Sequence, residues 1–167
     1  MVITLKDING NAIRNVDVDV NLNGVKTLTT DGNGQVKIST NGLVPKKYTV
    51  NVTFNGNAIY EESFKEVGVT VKKATPILTA KVKTFEVSVK TKKYTVTLKD
   101  NQNKAMKNTY VTLKVNKRTY KVKTNSNGQA IFKITNLNKK GTFTVEVKYA
   151  GDSCYNAKTV NAKIIVK

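Results

Sequence analysis

The string Thr30-Asp31-Gly32-Asn33-Gly34-Gln35 brings this chain nearest to metal chemistry, because oxygen-bearing side chains alternate with glycine as in the first half of a calcium loop. A second string, Thr124-Asn125-Ser126-Asn127-Gly128-Gln129, repeats the pattern but exchanges the acid for an amide. Neither string has an acidic residue at the twelfth position, where a calcium loop closes its coordination shell. A turn suits both copies equally well, since Asn-Gly tolerates the positive φ of a tight hairpin. Hairpin turns are therefore expected here, and no metal.

Other chemistry is sparse. Histidine is absent and Cys154 is the single cysteine, which removes Cys/His zinc sites, a Ser-His-Asp triad and an internal disulfide. Cys154 itself reads as a small apolar residue rather than a reactive thiol. The eleven carboxylates include one adjacent pair, Glu61-Glu62, placed in a loop where no acid/base geometry is implied. There is no Gly-rich phosphate loop, so neither an enzyme nor a cofactor is expected. A Lys–Asn crosslink needs desolvated partners, and Lys6 and Lys99 have outward parity on their strands. Asn51-Val52-Thr53 is the one Asn-x-Ser/Thr sequon, and the outward parity of Asn51 makes it a candidate glycan acceptor.

Charge carries more information. Residues 1–73 hold nine Lys/Arg against seven Asp/Glu, a net of +2, while residues 74–167 hold twenty against four, a net of +16, which together make the +18 of the chain. A basic half suggests a polyanionic partner, through Lys81, Lys83, Lys90, Lys92, Lys93, Lys114, Arg118, Lys121 and Lys123, with Tyr120 among them to stack on a sugar or base. The alternative is a solvated lysine-rich surface, because these lysines alternate with Thr and Val and form no block. No nucleic-acid motif is present, so nucleic acid is not the expected polyanion.

The elements that would position these groups are strands. Ile3 and Leu5 alternate with Thr4 and Lys6; Val16, Val18, Val20 and Leu22 alternate with Asp17, Asp19 and Asn21; Tyr48, Val50, Val52 and Phe54 form the clearest row. Val67, Val69 and Val71 close the first half. The hydrophobic fraction of 39% suffices for a packed core in one large or two small domains. No apolar run approaches the roughly 20 residues of a membrane span. No leader precedes the strand-like alternation at Met1, so the chain is expected to be a piece of something longer.

The second half repeats the first. Thr97-Leu98-Lys99-Asp100 copies Thr4–Asp7, Val111, Leu113 and Val115 copy Val18, Val20 and Leu22, and Phe143, Val145, Val147 and Tyr149 copy Tyr48–Phe54. Gly56, Tyr60 and Val71-Lys72 recur as Gly151, Tyr155 and Val166-Lys167. Tyr60 and Tyr155 precede the last strand of each copy, where a hydroxyl can tie a corner or the ring can simply pack. The second copy also has a lead-in, Thr75–Lys93, without a counterpart in the first. Leu78, Ala80 and Val82 share one parity there, and Phe85, Val87 and Val89 the other. That change of face suggests a strand moving from one sheet to the other, or else a spacer. Pro76 holds Thr75 extended, so residues 72–76 read as a short, stiff linker.

The Thr-Leu-Lys-Asp string, the Thr-(Asp/Asn)-x-Asn-Gly-Gln turn, the (Tyr/Phe)-Thr-Val-x-Val row and Gly-(Asn/Asp)-x-x-Tyr, in that order and twice, resemble the Ig-like repeats of adhesin-like surface proteins of methanogenic archaea. More distantly, they resemble the Ig-like stalk repeats of intimin and invasin. The resemblance implies an all-β chain of two tandem Ig-like β-sandwich repeats, at residues 1–73 and 74–167. It also implies a secreted, extracellular protein held at the cell surface, where the repeats form a stalk or spacer. Its partners would be neighbouring repeats of the parent chain, and cell-surface or envelope glycans if the basic repeat binds.

Overall fold

The computed structural model describes residues 1–167, which are all-β and form two compact units, Met1–Lys72 and Lys73–Lys167. The first unit contains β1 (Val2–Thr4), β2 (Asp17–Asn21), β3 (Val25–Thr29), β4 (Gln35–Lys37), β5 (Lys47–Phe54) and β6 (Ser63–Thr70). They form a two-stranded sheet, β1-β4, and a four-stranded sheet, β3-β2-β5-β6. Val18, Val20, Val36, Ile38 and Val50 make its buried cluster. The alternation along β2 and β5 places these valines on the inner face, as a period of two requires.

The second unit contains β7 (Ile77–Ala80), β8 (Lys83–Phe85), β9 (Lys92–Lys99), β10 (Tyr110–Val115), β11 (Arg118–Lys123), β12 (Gln129–Ile134), β13 (Gly141–Tyr149) and β14 (Lys158–Val166). Its sheets run β12-β9-β7 and β11-β10-β13-β14-β8. Six strands, β9 to β14, reproduce the pairing of β1 to β6; β7 and β8 are additional. The core is larger and includes Tyr94, Leu98, Leu113, Phe132, Val145 and Ile164.

The lead-in crosses between the two sheets. Leu78 and Ala80 pair with Leu98 and Val96 of β9, and three residues later Lys83–Phe85 runs parallel to Ile164–Val166 of β14. Val82 lies at the crossing and is exposed rather than inward with Leu78 and Ala80. The Tyr94 hydroxyl donates to the Lys81 carbonyl at 2.6 Å and pins that crossing.

The recurring Asn-Gly turn is an arch, not the hairpin its sequence suggests. β3 belongs to the larger sheet and β4 pairs with β1, so the turn carries the chain from one sheet to the other. The local signal is ambiguous because the turn begins as a hairpin would: Asp31 N–H donates to the Gln35 carbonyl at 2.9 Å, and then the strands diverge. Gly34 alone takes a positive φ, +70°, whereas a type I′ hairpin needs it at both central residues. The glycine is required for a second reason. A Cβ on Gly34 would lie 2.6 Å from the Leu5 carbonyl oxygen, and one on Gly128 would press closer still on that of Leu98. The close approach permits Leu5 N–H to bond the Gly34 carbonyl, and Leu98 N–H the Gly128 carbonyl, each at 2.8 Å.

Corner ties are present, but on other tyrosines. They are made by the Tyr149 hydroxyl to Asp152 Oδ2 at 2.7 Å and by the Tyr48 hydroxyl to the Val44 carbonyl at 2.8 Å, not by Tyr60 or Tyr155.

A candidate polyanion-binding face

The basic residues are sorted by the hairpin between β10 and β11. Its two-residue loop, Asn116-Lys117, has φ of 45° and 63°, the positive pair of a type I′ turn, whose twist matches the flanking strands. The turn fixes the register from Val115 opposite Arg118 to Tyr110 opposite Lys123. Alternation then puts Tyr110, Thr112 and Lys114 of β10 on the outer face with Thr119, Lys121 and Lys123 of β11. Lys148 lies opposite Thr112, and Glu146 opposite Lys114 on the same face.

Tyr110 is the centre of this face and was not singled out by the sequence. It is 52% exposed, with Lys121 Nζ 4.5 Å and Lys123 Nζ 4.9 Å from its ring centroid. Each such contact contributes on the order of 0.5–1 kcal/mol at an exposed site. The exposed ring holds the two ammonium groups over it, where they can face the carboxylate or sulfate of an anionic sugar. The signal was available in principle, since counting back from Asn116-Lys117 puts Tyr110 and Lys123 opposite one another.

Tyr120 occupies a different position. Its ring packs on the core, its hydroxyl donates to Asn136 Oδ1 at 2.8 Å and accepts from Thr135 N–H at 3.3 Å, and Arg118 lies 5.2 Å from its centroid. Lys121 and Lys123 are thus brought together with Lys114 on one face, and Arg118 sits at the hairpin end. Lys81 and Lys83 lie at the β7–β8 crossing, away from that face. Lys92 does not belong to any basic surface. It is 1% exposed, shares the inward parity of Tyr94, Val96 and Leu98, and its Nζ donates to the Val89 carbonyl at 2.7 Å.

Asp7, Asp31 and Asp100 are occupied by backbone of their own loops, whereas Asp17 and Asp19 accept from the hydroxyls of Thr29 and Thr27. Asp31 Oδ1 accepts from Asn33 and Gln35 N–H at 2.8 and 2.9 Å, and these bonds, Gln35 first, hold its carboxyl below the usual range. Asn125 Oδ1 takes the same two bonds from Asn127 and Gln129 at 2.9 and 3.0 Å, so the turn needs an acceptor and not a charge. Asp7 and Asp100 form similar loops, accepting from Asn9 and Asn11, and from Gln102 and Lys104. No cluster of three or more potential metal-ligating side chains is formed. Lys99 Nζ meets Asn103 Oδ1 at 3.0 Å in an exposed contact. Asn51 is half-buried in β5, opposite Asn21 and Glu66, and its Oδ1 is buried without a partner.

A family profile described as macroglobulin domain MG4 matches residues 93–164, from β9 into β14. No curated protein matches the chain. Among solved structures it is similar to invasin, a bacterial integrin-binding protein, at 18% identity and a TM-score of 0.50, over 99% of this chain and 35% of invasin. Each unit is an Ig-like β-sandwich. The chain is also similar to a tetra-tandem repeat from the extending region of a large adhesion protein, at 16% identity and a TM-score of 0.48, over 94% of this chain and 43% of that one. A Ca2+-stabilised adhesin of an Antarctic bacterium gives 17% identity and a TM-score of 0.34, over 99% and 43%. The chain spans less than half the length of each. No helix is long and apolar enough to cross a membrane.

Proposed function

We propose that these are two tandem repeats, residues 1–73 and 74–167, of a secreted cell-surface adhesin of the methanogen type, acting as an extracellular stalk or spacer. The observation that carries this reading is the pairing of the two ends of the second unit. β8, near its beginning, runs parallel to β14, at its end; Val87 N–H donates to the Lys167 carbonyl at 2.7 Å, and Lys167 N–H to the Phe85 carbonyl at 3.0 Å. Tension applied through the chain pulls two parallel terminal strands in opposite directions along their axes. The hydrogen bonds between them are then loaded together, in shear, rather than opened one at a time. Such an arrangement lets a spacer hold its length under load.

Single-molecule extension of the full chain tests it. The second unit should yield at a higher force than the first, whose terminal strands β1 and β6 lie in different sheets, and Val87→Pro should lower the second unit's force by removing the N–H that donates to the Lys167 carbonyl. Equal forces for the two units, unchanged by Val87→Pro, would defeat the reading.

Tyr110 between Lys121 and Lys123 favours a second activity, binding of an anionic polysaccharide or envelope polymer by the basic unit. Retention of the chain on a carboxylated polysaccharide at physiological salt should fall with Tyr110→Ala and with Lys121→Gln/Lys123→Gln. Retention that follows net charge alone, with no effect of Tyr110→Ala, would leave only a solvated basic surface.

A further inference from the structure

The first unit has an open seam where the second has β7 and β8. Its small sheet ends at β1 and its large sheet at β6, and neither outer edge is paired. Between them lies a cavity of about 430 Å³ lined by Ile3, Leu5, Val18, Val50, Val52 and Val67. Phe64, on the rim, is 62% exposed and Val67 is 40% exposed. In the second unit the corresponding seam is filled: Leu78 pairs with Leu98, the counterpart of Leu5, and Ala80 with Val96, the counterpart of Ile3. Leu78 is buried there, and β8 covers the outer edge of β14 so that Ile164 and Val166 are buried. Their counterparts Val69 and Val71 stay half-exposed.

We propose that this seam is a strand-acceptor site, and that its occupant is an extended peptide of the Leu78–Val87 type supplied by a segment outside residues 1–167. The required chemistry can be read from the second unit. Two apolar residues in alternate positions pair along β1 and enter the cavity; after a short crossing, two of the opposite parity lie beside β6 in parallel register. Free edge amides would supply main-chain bonds, and the apolar positions would supply selectivity. A small apolar ligand would fill the cavity but leave both edges unpaired. A second copy of the chain offers no spare strand, because its own β7 and β8 already pair with β9 and β14.

The test uses the full chain, isotope-labelled, with a synthetic peptide of residues 74–89. Amide shifts and exchange slowed about tenfold or more should map to Val2–Lys6 and Phe64–Val71. Joining the same segment ahead of Met1 through a flexible linker should raise the lower thermal transition by about 10 °C. A peptide with Leu78→Lys and Ala80→Lys should do neither. The proposal fails if the lysine peptide acts as well as the parent, or if perturbations map to the second unit. It also fails if the two edges become protected only through concentration-dependent dimerisation, or if the joined segment leaves the lower transition where it was.

Discussion

The Tyr149 hydroxyl donates to Asp152 Oδ2 at 2.7 Å while Asp152 Oδ1 accepts the Cys154 and Tyr155 N–H groups, both at 2.8 Å. One carboxylate therefore closes the loop before β14 and ties it to the end of β13. The first unit keeps the loop, with Asn57 Oδ1 accepting from Ile59 and Tyr60 N–H at 2.9 Å, but has Phe54 where the tie would start. Tyr149→Phe should thus preserve the fold and cost about 1 kcal/mol, below the usual range for a bond to a charged group, since Asp152 is exposed and screened. Denaturant unfolding of the second unit measures it. No loss of stability would mean that the bond merely replaces one to water.

The same pair sets a pH dependence at both ends of the scale. Burial, followed by the bond to Asp152, pushes the Tyr149 hydroxyl above its ordinary value. The unfolded chain then gives up that proton first, so its stabilisation is complete below about pH 10 and declines as pH rises beyond it. For Asp152, burial acts upward but is outweighed by the bonds from Tyr149, Cys154 and Tyr155, leaving the carboxyl below its ordinary value. Between the folded and unfolded values the unfolded chain binds more protons, so this stability is lost as pH falls below about 4. Asp152→Asn should flatten the acid limb of the second unit's stability profile; an unaltered limb would contradict the assignment.

Glycine at the arch should be far less replaceable than glycine in an open turn. Gly128→Ala places a Cβ against the Leu98 carbonyl and must displace backbone, in addition to adopting φ of +70°. Gly10, at φ +84°, has nothing within 4 Å of the same atom. Gly10→Ala should cost about 1–2 kcal/mol, the left-handed penalty alone, and Gly128→Ala clearly more. Thermal unfolding of the two variants gives the comparison, and similar losses would show that the Gly128 contact relaxes freely.

Strand parity was the part of the structure most open to reading. The inward rows of β2, β5, β9 and β13 follow from alternation, and the face change between Leu78 and Phe85 coincides with their passage from β9 to β14. Even the burial of Lys92 is implied by its phase with Tyr94 and Val96. Pairing between distant segments was less open. A glycine at positive φ looks the same whether the next strand returns to its neighbour or crosses to the other sheet, so the arch read as a hairpin. Tyr120 was noticed through its charged neighbours, although its parity with Val122 already placed it inward; Tyr110 became visible only with the cross-strand register.

The two units should unfold in a fixed order. The first has a buried cluster of five residues, all Val or Ile, while that of the second has sixteen and includes Tyr94, Phe132 and Tyr149. Fully burying one such apolar side chain contributes about 1.5–3 kcal/mol, so the difference in core exceeds the extra conformational entropy that β7 and β8 would have to offset only if those strands are tightly packed. The buried Leu78, the core contacts of Ala80 and Phe85, and the sealing of Ile164 and Val166 by β8 supply that packing. Calorimetry of the full chain should show two transitions, the lower belonging to the first unit. Val50→Ala should lower the first and Leu113→Ala the second, the latter by about 2–5 kcal/mol. If Leu113→Ala shifted the lower transition instead, the order would be reversed, and the open seam of β1 and β6 would not be the weaker part of the chain.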